Sequence, residues 1–453
     1  MKEFTPEYLS HLHKIIEDRA DEAARDELRD LHPADIAELY RDLDIDEAEY
    51  LFVLLDEDAQ ADVLMELDED ERSRLLSRMD AEDIAKQIEH LDTDDAVDVI
   101  QELDEEEREK ILSHIDDVEQ AGDIIDLLKY DEDTAGGLMG TEMIVVNENW
   151  SMPECIRQMR MQAEEMDEVY YVYVVDNEDR LRGTLPLKKL ITHPNVSKIK
   201  HVMEDDPVSV KADTPIDDVA LDFEKYDLVA MPVVDSIGRL LGRITVDDVM
   251  DKVRDSSERD YQLASGLSGD VESDDKLFAQ TKARLPWLLI GMIGGLCNSF
   301  ILGKFEGGFV VDPALALFIP LIGGTGGNVG TQSSAIVVQG LANGSLDIKK
   351  SGKQLVKELG VGLLNGSIIA MLVFLYNFLT IGQGHQVTTF AVSISLFCVV
   401  MFASVFGTFV PLMLEKLKID PALATGPFIS ITNDIIGMVI YMSISSWLIL
   451  AFH

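Results

Sequence analysis

Hydrophobic residues return every twelve positions through the first third of the chain: Leu31, Leu43, Leu55, Leu67, Met79, Leu91, Leu103 and Ile115. Seven of the eight are followed by Asp, His32 being the exception, as in "LDEDAQADVLME", "MDAEDIAKQIEH" and "LDTDDAVDVIQE". Each unit offers an Asp where a helix N-cap is wanted, acidic residues in the first turn, and apolar positions at helical spacing. A fixed period implies repeated short helices that bury their faces on their neighbours. The pattern predicts an acidic N-terminal α-solenoid.

At "YDEDTAGGLMGTEMIVV" the texture changes: the glycine pair ends the helices and β-branched runs begin. Two similar units follow, "VYYVYVVDNEDRLRGTLPLKKLI" and "LVAMPVVDSIGRLLGRITVDDVMDKV". Both read as strand, turn, strand, helix, with Asp, Asn or Gly in the turn. The pair resembles tandem cystathionine-β-synthase (CBS) α/β domains, a regulatory module that often takes adenine nucleotides. Beyond it, "TVDDVMDKVRDSSERDYQLASGL" from Thr245 to Leu267 is polar and helix-compatible. It reads as a connecting helix; a solvated linker is the plainer alternative.

From "RLPWLLIGMIGGLCNSFILG" onwards the pattern is that of an all-α membrane domain. Five spans of bilayer length are expected, at 285–303, 313–341, 358–380, 388–414 and 422–452. The 342–357 loop carries Lys349, Lys350, Lys353 and Lys357, and the 415–420 loop carries Lys416 and Lys418. The loops at 304–312 and 381–387 hold only Lys304. Basic loops stay inside, so residues 1–280 are expected in the cytosol of a multi-pass cell (inner) membrane protein, with His453 outside. The expected division is 1–130 solenoid, 131–200 and 201–250 CBS units, 251–280 connecting helix and linker, and 281–453 membrane domain.

Charge sharpens this division. From Thr281 on there are seven acidic and nine basic residues, leaving 77 acidic against 29 basic of the chain's 84 and 38 in the part before it. Such acidity excludes nucleic acid and anionic lipid surfaces as partners and favours cations. Solubility, or a salty cytosol, would also account for the total, so local clusters matter more than the sum. Cys155, Cys297 and Cys398 are scattered and form neither a disulfide framework nor a zinc spacing. The charged, helix-patterned first thirty residues do not read as a cleavable signal peptide. No P-loop or catalytic dyad is legible, so no enzymatic activity is expected.

Asp434, in "ISITNDIIGMVIYM", is the one acidic residue read as well inside a span, with Glu306, Asp312, Glu358, Glu415 and Asp420 at span ends. A carboxylate costs roughly 3 kcal/mol or more at a bilayer centre, so it normally faces a pore or a partner. Gly426–Pro427 invites a broken helix that frees carbonyls near the same depth, and Thr432 and Asn433 adjoin. The set is an oxygen-rich site suited to a hard divalent ion. A structural Asp paired to helix backbone is the alternative. In the second span, "PLIGGTGGNVGTQSSA" presents five glycines with Thr325, Asn328, Thr331, Gln332 and Ser333 as a small, polar face. Close helix packing alone would explain the glycines, whereas Asn328 and Gln332, at i and i+4, favour lining a water path.

Taken in order, the acidic repeats, "EDTAGGLMG", the CBS pair with "VDDVMD", "GGTGGNVGTQ" and "DPALATGPFISITNDIIGMVIY" resemble MgtE-type magnesium channels over nearly the whole chain. The resemblance implies a homodimer in membrane lipid and a central pore whose Mg²⁺ site is Asp434 from both subunits. It further implies closure of the pore by Mg²⁺ bound between the cytosolic domains, with ATP as a second ligand of the CBS pair in some members. Candidate sensing residues are Asp94, Asp95 and Asp98 in the solenoid, Asp213, Asp217 and Asp227 in the second CBS unit, and Asp247, Asp248 and Asp251 entering the connecting helix. Asp227 and Asp251 match family positions, whereas "RDSSERD" interleaves Arg254 and Arg259 where the family carries further acids. Crowded carboxylates repel, so bridging divalent ions favour the compact arrangement. The sequence leaves open how Mg²⁺ ranks against Mn²⁺, Co²⁺ and Ca²⁺. Two rival functions remain: a coupled secondary divalent-cation transporter, and a membrane-anchored CBS nucleotide sensor.

Overall fold

The structure is a computed structural model that describes residues 4–166, 169–194, 197–269, 271, 277–305, 312–342, 344–346, 351–380, 386–424 and 426–452. Two compact units make up the chain, one up to Lys252 and one from Val253 on.

The first unit opens with ten short helices: α1 (Pro6–Glu17), α2 (Asp21–Leu28), α3 (Pro33–Tyr40), α4 (Ile45–Leu54), α5 (Glu57–Glu66), α6 (Glu69–Leu76), α7 (Ala81–Ile88), α8 (Thr93–Gln101), α9 (Glu105–Leu112) and α10 (Val118–Leu127). The repeat supplies the caps it promised. Asp44, Asp56, Asp68, Asp80 and Asp104 each accept from first-turn backbone amides of α4, α5, α6, α7 and α9. Such a cap is worth about 1 kcal/mol. Packing runs between alternate helices, α3 on α5, α5 on α7, α7 on α9, which is how a stack of repeats winds. One cation is buried between repeats: Arg72 pairs with Glu102 and donates to the Leu64 and Leu67 carbonyls.

Two small sheets follow. In the first, β1 (Ile144–Asn147) pairs parallel with β2 (Val172–Val175), which runs antiparallel to β3 (Leu181–Leu185), itself antiparallel to β4 (Glu204–Asp205). Helices α11 (Met152–Gln162) and α12 (Leu187–Thr192) belong to this unit. The second repeats the plan with β5 (Val210–Lys211), α13 (Ile216–Tyr226), β6 (Ala230–Val234), β7 (Leu240–Thr245) and α14 (Val246–Ser265). The repeat extends to the turns: Asp176 caps the Glu178 and Arg180 amides as Asp235 caps those of Ile237 and Arg239. Continuous burial of β2 and β6 follows from their unbroken apolar runs.

In the second unit, five helices are long and apolar enough to cross a membrane: α15 (Leu277–Lys304), α16 (Ile319–Ala342, entered through a 3₁₀ turn from Pro313), α17 (Ser351–Thr380), α18 (Gln386–Lys416) and α19 (Gly426–Phe452, preceded by a 3₁₀ turn Pro421–Ala424). Helix α18 is the most buried, and its Val392, Leu396, Val399 and Val400 meet Ile322, Met438, Tyr441 and Met442 in the bundle core. Two expectations are corrected here. Helix α17 begins two turns before residue 358, so Glu358 lies inside the helix, not at its end, and it is buried. The break at Gly426–Pro427 stands at the start of α19, where Ser334 Oγ takes up the Ala424 carbonyl at 2.8 Å. Eight residues of α19, about 12 Å of helix, separate Gly426 from Asp434, so a carbonyl ahead of the helix start is not at the aspartate's depth. Lys349 and Lys350, on which the expected orientation partly rests, fall outside the described residues, as do Glu306 and His453.

Candidate functional site

The solenoid breaks its own rule at one place. Asp92 stands in the repeat's cap position but makes no side-chain bond to the start of α8. Its carboxylate instead meets Arg243 Nη2 of β7 at 3.2 Å. Glu142 takes the first amide of α8 instead: its Oε1 accepts from Thr93 N at 3.0 Å while Oε2 accepts from the Thr93 hydroxyl at 3.1 Å. Thr141 N donates to Thr93 Oγ1 at 2.9 Å. Arg243, itself buried, exchanges backbone hydrogen bonds with Gly140 at 2.9 Å and donates from Nε to the Glu142 carbonyl. A Cβ at Gly140 would stand 2.9 Å from Asp94 Oδ2 and 3.0 Å from Glu142 Oε2, so the absence of a side chain there admits both carboxylates.

The result is a carboxylate centre of Asp92, Asp94, Asp95, Glu142 and Asp248, with Arg243 as its cation. One oxygen from each of Asp92, Asp94 and Glu142 lies within 4.8 Å of the other two. That separation suits oxygens around a single Mg²⁺ or Ca²⁺, whose ligand bonds run about 2.0–2.6 Å. Burial pushes Asp94 well above the usual carboxylate range, and repulsion from Asp248, Asp95, Glu142 and Asp92 adds to it. Burial, with repulsion from Asp248, Asp92, Asp98 and Glu142, pushes Asp95 up to about 7. Glu142 and Asp248 are also raised, by burial first, against hydrogen bonds from Thr93 and Thr245 respectively. Unmet negative charge in a half-enclosed site is a demand for protons or a divalent cation.

Helix α14 divides its acids. Asp248 accepts from Thr245 and faces this centre, and one turn on, Lys252 meets Asp98 at 3.7 Å. Asp247 and Asp251 are exposed on another face. Asp213 and Asp217 are exposed before and within the first turn of α13, while Asp227 caps its far end with a left-handed φ of 51°. Eleven residues of helix, about 16 Å, separate the two ends, so within one chain these three do not converge. Asp94, Asp95, Asp98 and Asp248 are thus brought together. Glu142, Asp92 and Arg243 are functional candidates that the sequence pattern did not single out.

The membrane centre is built from glycines. A Cβ at Gly327 would meet Ser430 Oγ at 2.8 Å and Asp434 Oδ1 at 3.2 Å, and one at Gly323 would meet Asp434 Oδ1 at 3.6 Å. A Cβ at Gly330 would overlap Asn433 Nδ2. The bare face of α16 therefore seats the polar residues of α19. Asp434 Oδ1 is enclosed yet has no hydrogen-bond partner among the described residues, and neither does the amide of Asn433, which is 1% exposed. Asn328 and Gln332 lie together on the open face of α16, with Thr331 half-buried, as is Thr432 on α19. Pro427 touches the chain end of α14: a Cβ at Gly266 would meet Pro427 Cγ at 2.6 Å.

Comparison with known proteins resolves the lineage. The divalent cation transporter family MgtE matches residues 319–444, the MgtE intracellular N domain 31–133, and CBS domains 135–195 and 199–255. The magnesium transporter MgtE of Thermus thermophilus is 35% identical over 71% of this chain and 72% of its own. The chain belongs to the MgtE family. MgtE of Enterococcus faecalis is 33% identical over 72% of each chain. The soluble part of a magnesium transporter matches with a TM-score of 0.50 at 30% identity, over 55% of this chain and 98% of that one. The cytosolic domain of the Mg²⁺ channel MgtE in complex with ATP matches with a TM-score of 0.51 at 31% identity, over 54% and 99%.

Proposed function

We propose that the protein is a Mg²⁺-selective channel of the cell membrane, a homodimer in which Mg²⁺ on the acidic cytosolic unit closes the pore. The observation that carries this reading is Asp434: an acid within an otherwise uncharged apolar helix, one oxygen enclosed and without a partner among the described residues, seated on Gly323 and Gly327. A hydrated divalent ion held by such carboxylates from two subunits would be selected by charge and size, since Mg²⁺ keeps most of its waters. Relatives named as magnesium transporters support Mg²⁺ as the ion.

The gating half of the reading rests on the centre around Asp94. Without metal its carboxylates repel; with Mg²⁺ they are bridged, and the ion stabilises whichever arrangement brings them together. Adenine nucleotide at the CBS pair is a further ligand to test, because a relative's cytosolic domain holds ATP.

A second reading has one observation in its favour. Glu358 is a second carboxylate inside the bundle, the sort of group a coupled transporter would use. One experiment separates the two. Purified protein in liposomes is given a Mg²⁺ gradient, with no ATP and no second ion gradient, beside Asp434→Ala. Downhill flux that the variant loses supports the channel. Mg²⁺ flux against its own gradient, seen only when a proton or sodium gradient is supplied, supports coupling, and an Asp434→Ala protein equal to wild type sinks the site.

A further inference from the structure

Three membrane helices meet on one oxygen. Glu358 of α17 is 6% exposed, and its Oε1 accepts from Ser333 Oγ of α16 at 2.6 Å and from Ser404 Oγ of α18 at 2.7 Å. No ion pair to Glu358 occurs among the described residues, and its hydrogen bonds go to neither Asp434 nor Asn433. An acid inside a bundle is retained where it has something to do.

What it holds is α16. Ser333 and Ser334 are adjacent on that helix, so their side chains point about 100° apart. One is bonded to Glu358 and the other, through Ser334 Oγ, to the Ala424 carbonyl two residues before α19 begins. The spacing around this node is tight. A Cβ at Gly362, one turn beyond Glu358, would meet Ser404 Cβ at 3.1 Å, and Gly407 of α18 lies directly on the Gly330 backbone. Gly330 and Gly327, on the neighbouring turns of α16, are the positions that seat Asn433 and Asp434.

We propose that Glu358 is a positioning residue for the pore: by holding the Ser333 and Ser404 hydroxyls it fixes α16 and, through Ser334 and Ala424, the start of α19, and so the depth and aim of Asp434. This rests on the reading of Asp434 as the ion site. The role needs an acceptor oxygen, not a charge. A glutamine at 358 offers the same Oε1 to both serines, whereas leucine offers nothing and leaves two buried hydroxyls unpaired.

The test compares wild type, Glu358→Gln, Glu358→Leu and the double variant Ser333→Ala/Ser404→Ala in liposomes, reading the ratio of Mg²⁺ to Ca²⁺ flux. Hydrogen exchange of Gly426–Asp434 amides is measured on the same proteins. The ratio should fall about tenfold or more in the leucine and double-alanine proteins, the size lost when residues that orient metal ligands are removed. Exchange at the start of α19 should quicken in both, and the glutamine protein should match wild type in both readouts. A lowered melting temperature with ratio and exchange unchanged would make Glu358 a packing residue only and overturn the proposal. Glutamine failing as leucine does would assign the charge itself, an ion or proton site, and overturn it too. A wild type without flux defeats the Asp434 reading, while the exchange comparison still decides whether Glu358 fixes α19.

Discussion

The carbonyl oxygen of Ala264, near the end of α14, occupies the space that a Cβ on Gly426 would need, and Gly426 holds a left-handed φ of 49°. Only glycine permits both the contact and the backbone angle. The end of the connecting helix is therefore fitted to the first residue of the helix that carries Asp434. Gly426→Ala should loosen this contact, and Mg²⁺ flux should then persist when the cytosolic side is raised to a Mg²⁺ concentration that silences the wild type. Equal suppression in the two proteins would remove the contact from the closing mechanism.

Neutralising the acidic centre should separate stability from sensing. Asp94→Asn removes a group that its neighbours repel, so the chelated protein should melt no lower than wild type, and by linkage somewhat higher. The rise in melting temperature on adding Mg²⁺ should shrink, with the Mg²⁺ requirement shifted about tenfold upward, as for loss of one ligand or its support. Asp248→Asn should act in the same direction. Thermal unfolding against a Mg²⁺ series reads both effects.

Acid should mimic the metal. Asp95 titrates near 7 in the folded chain against an ordinary 3.8, so between those values the folded state holds a proton that the unfolded chain has released. Its contribution to metal-free stability is present below pH 4 and lost as pH rises to about 7. In chelator, the melting temperature of Asp95→Asn relative to wild type should therefore grow between pH 5 and pH 8. Added Mg²⁺ should stabilise wild type more at pH 8, where no proton competes. A difference that stays constant across that range would contradict the burial of Asp95.

Gly327→Ala should reach the pore directly. Its methyl would stand 2.8 Å from Ser430 Oγ and 3.2 Å from Asp434 Oδ1, closer than the neighbours can accept without moving. Mg²⁺ flux should fall about tenfold, since misplacing a functional group by a fraction of an ångström costs rates of that order or more. Gly303→Ala near the end of α15, with nothing within 4 Å of its Cβ, is the control and should conduct as wild type does.

Much of this architecture was legible because it repeats. A twelve-residue period and a duplicated "VVD…G" turn are local statements, and local structure obeyed them, down to the caps of α4 to α7 and α9. Asp434 stands out in the sequence because one charge in an apolar span has few explanations. What escaped were contacts between distant segments. Nothing at "GLMGTE" says that Glu142 will return to the start of α8, and nothing in "VDDVMD" says which acid will face inward. Glu358 was read as a span end because Lys353 and Lys357 lower the hydropathy beside it. Ser333 and Ser404, hydroxyls inside apolar spans, were the signal that a partner was buried nearby.

The cap that Asp92 gives up has a consequence for how the solenoid opens. Eight of its sister helices, α1, α3 to α7, α9 and α10, carry their own N-terminal acceptor, but α8 borrows Glu142 from beyond the last helix of the stack. Separated from residues 134–252, the solenoid would keep its repeats and lose that acceptor, and the first turn of α8 would fray before its neighbours. Such a helix is as ordered as its docking allows, so slow amide exchange at Thr93 would report, residue by residue, whether the acidic stack and the CBS pair are engaged.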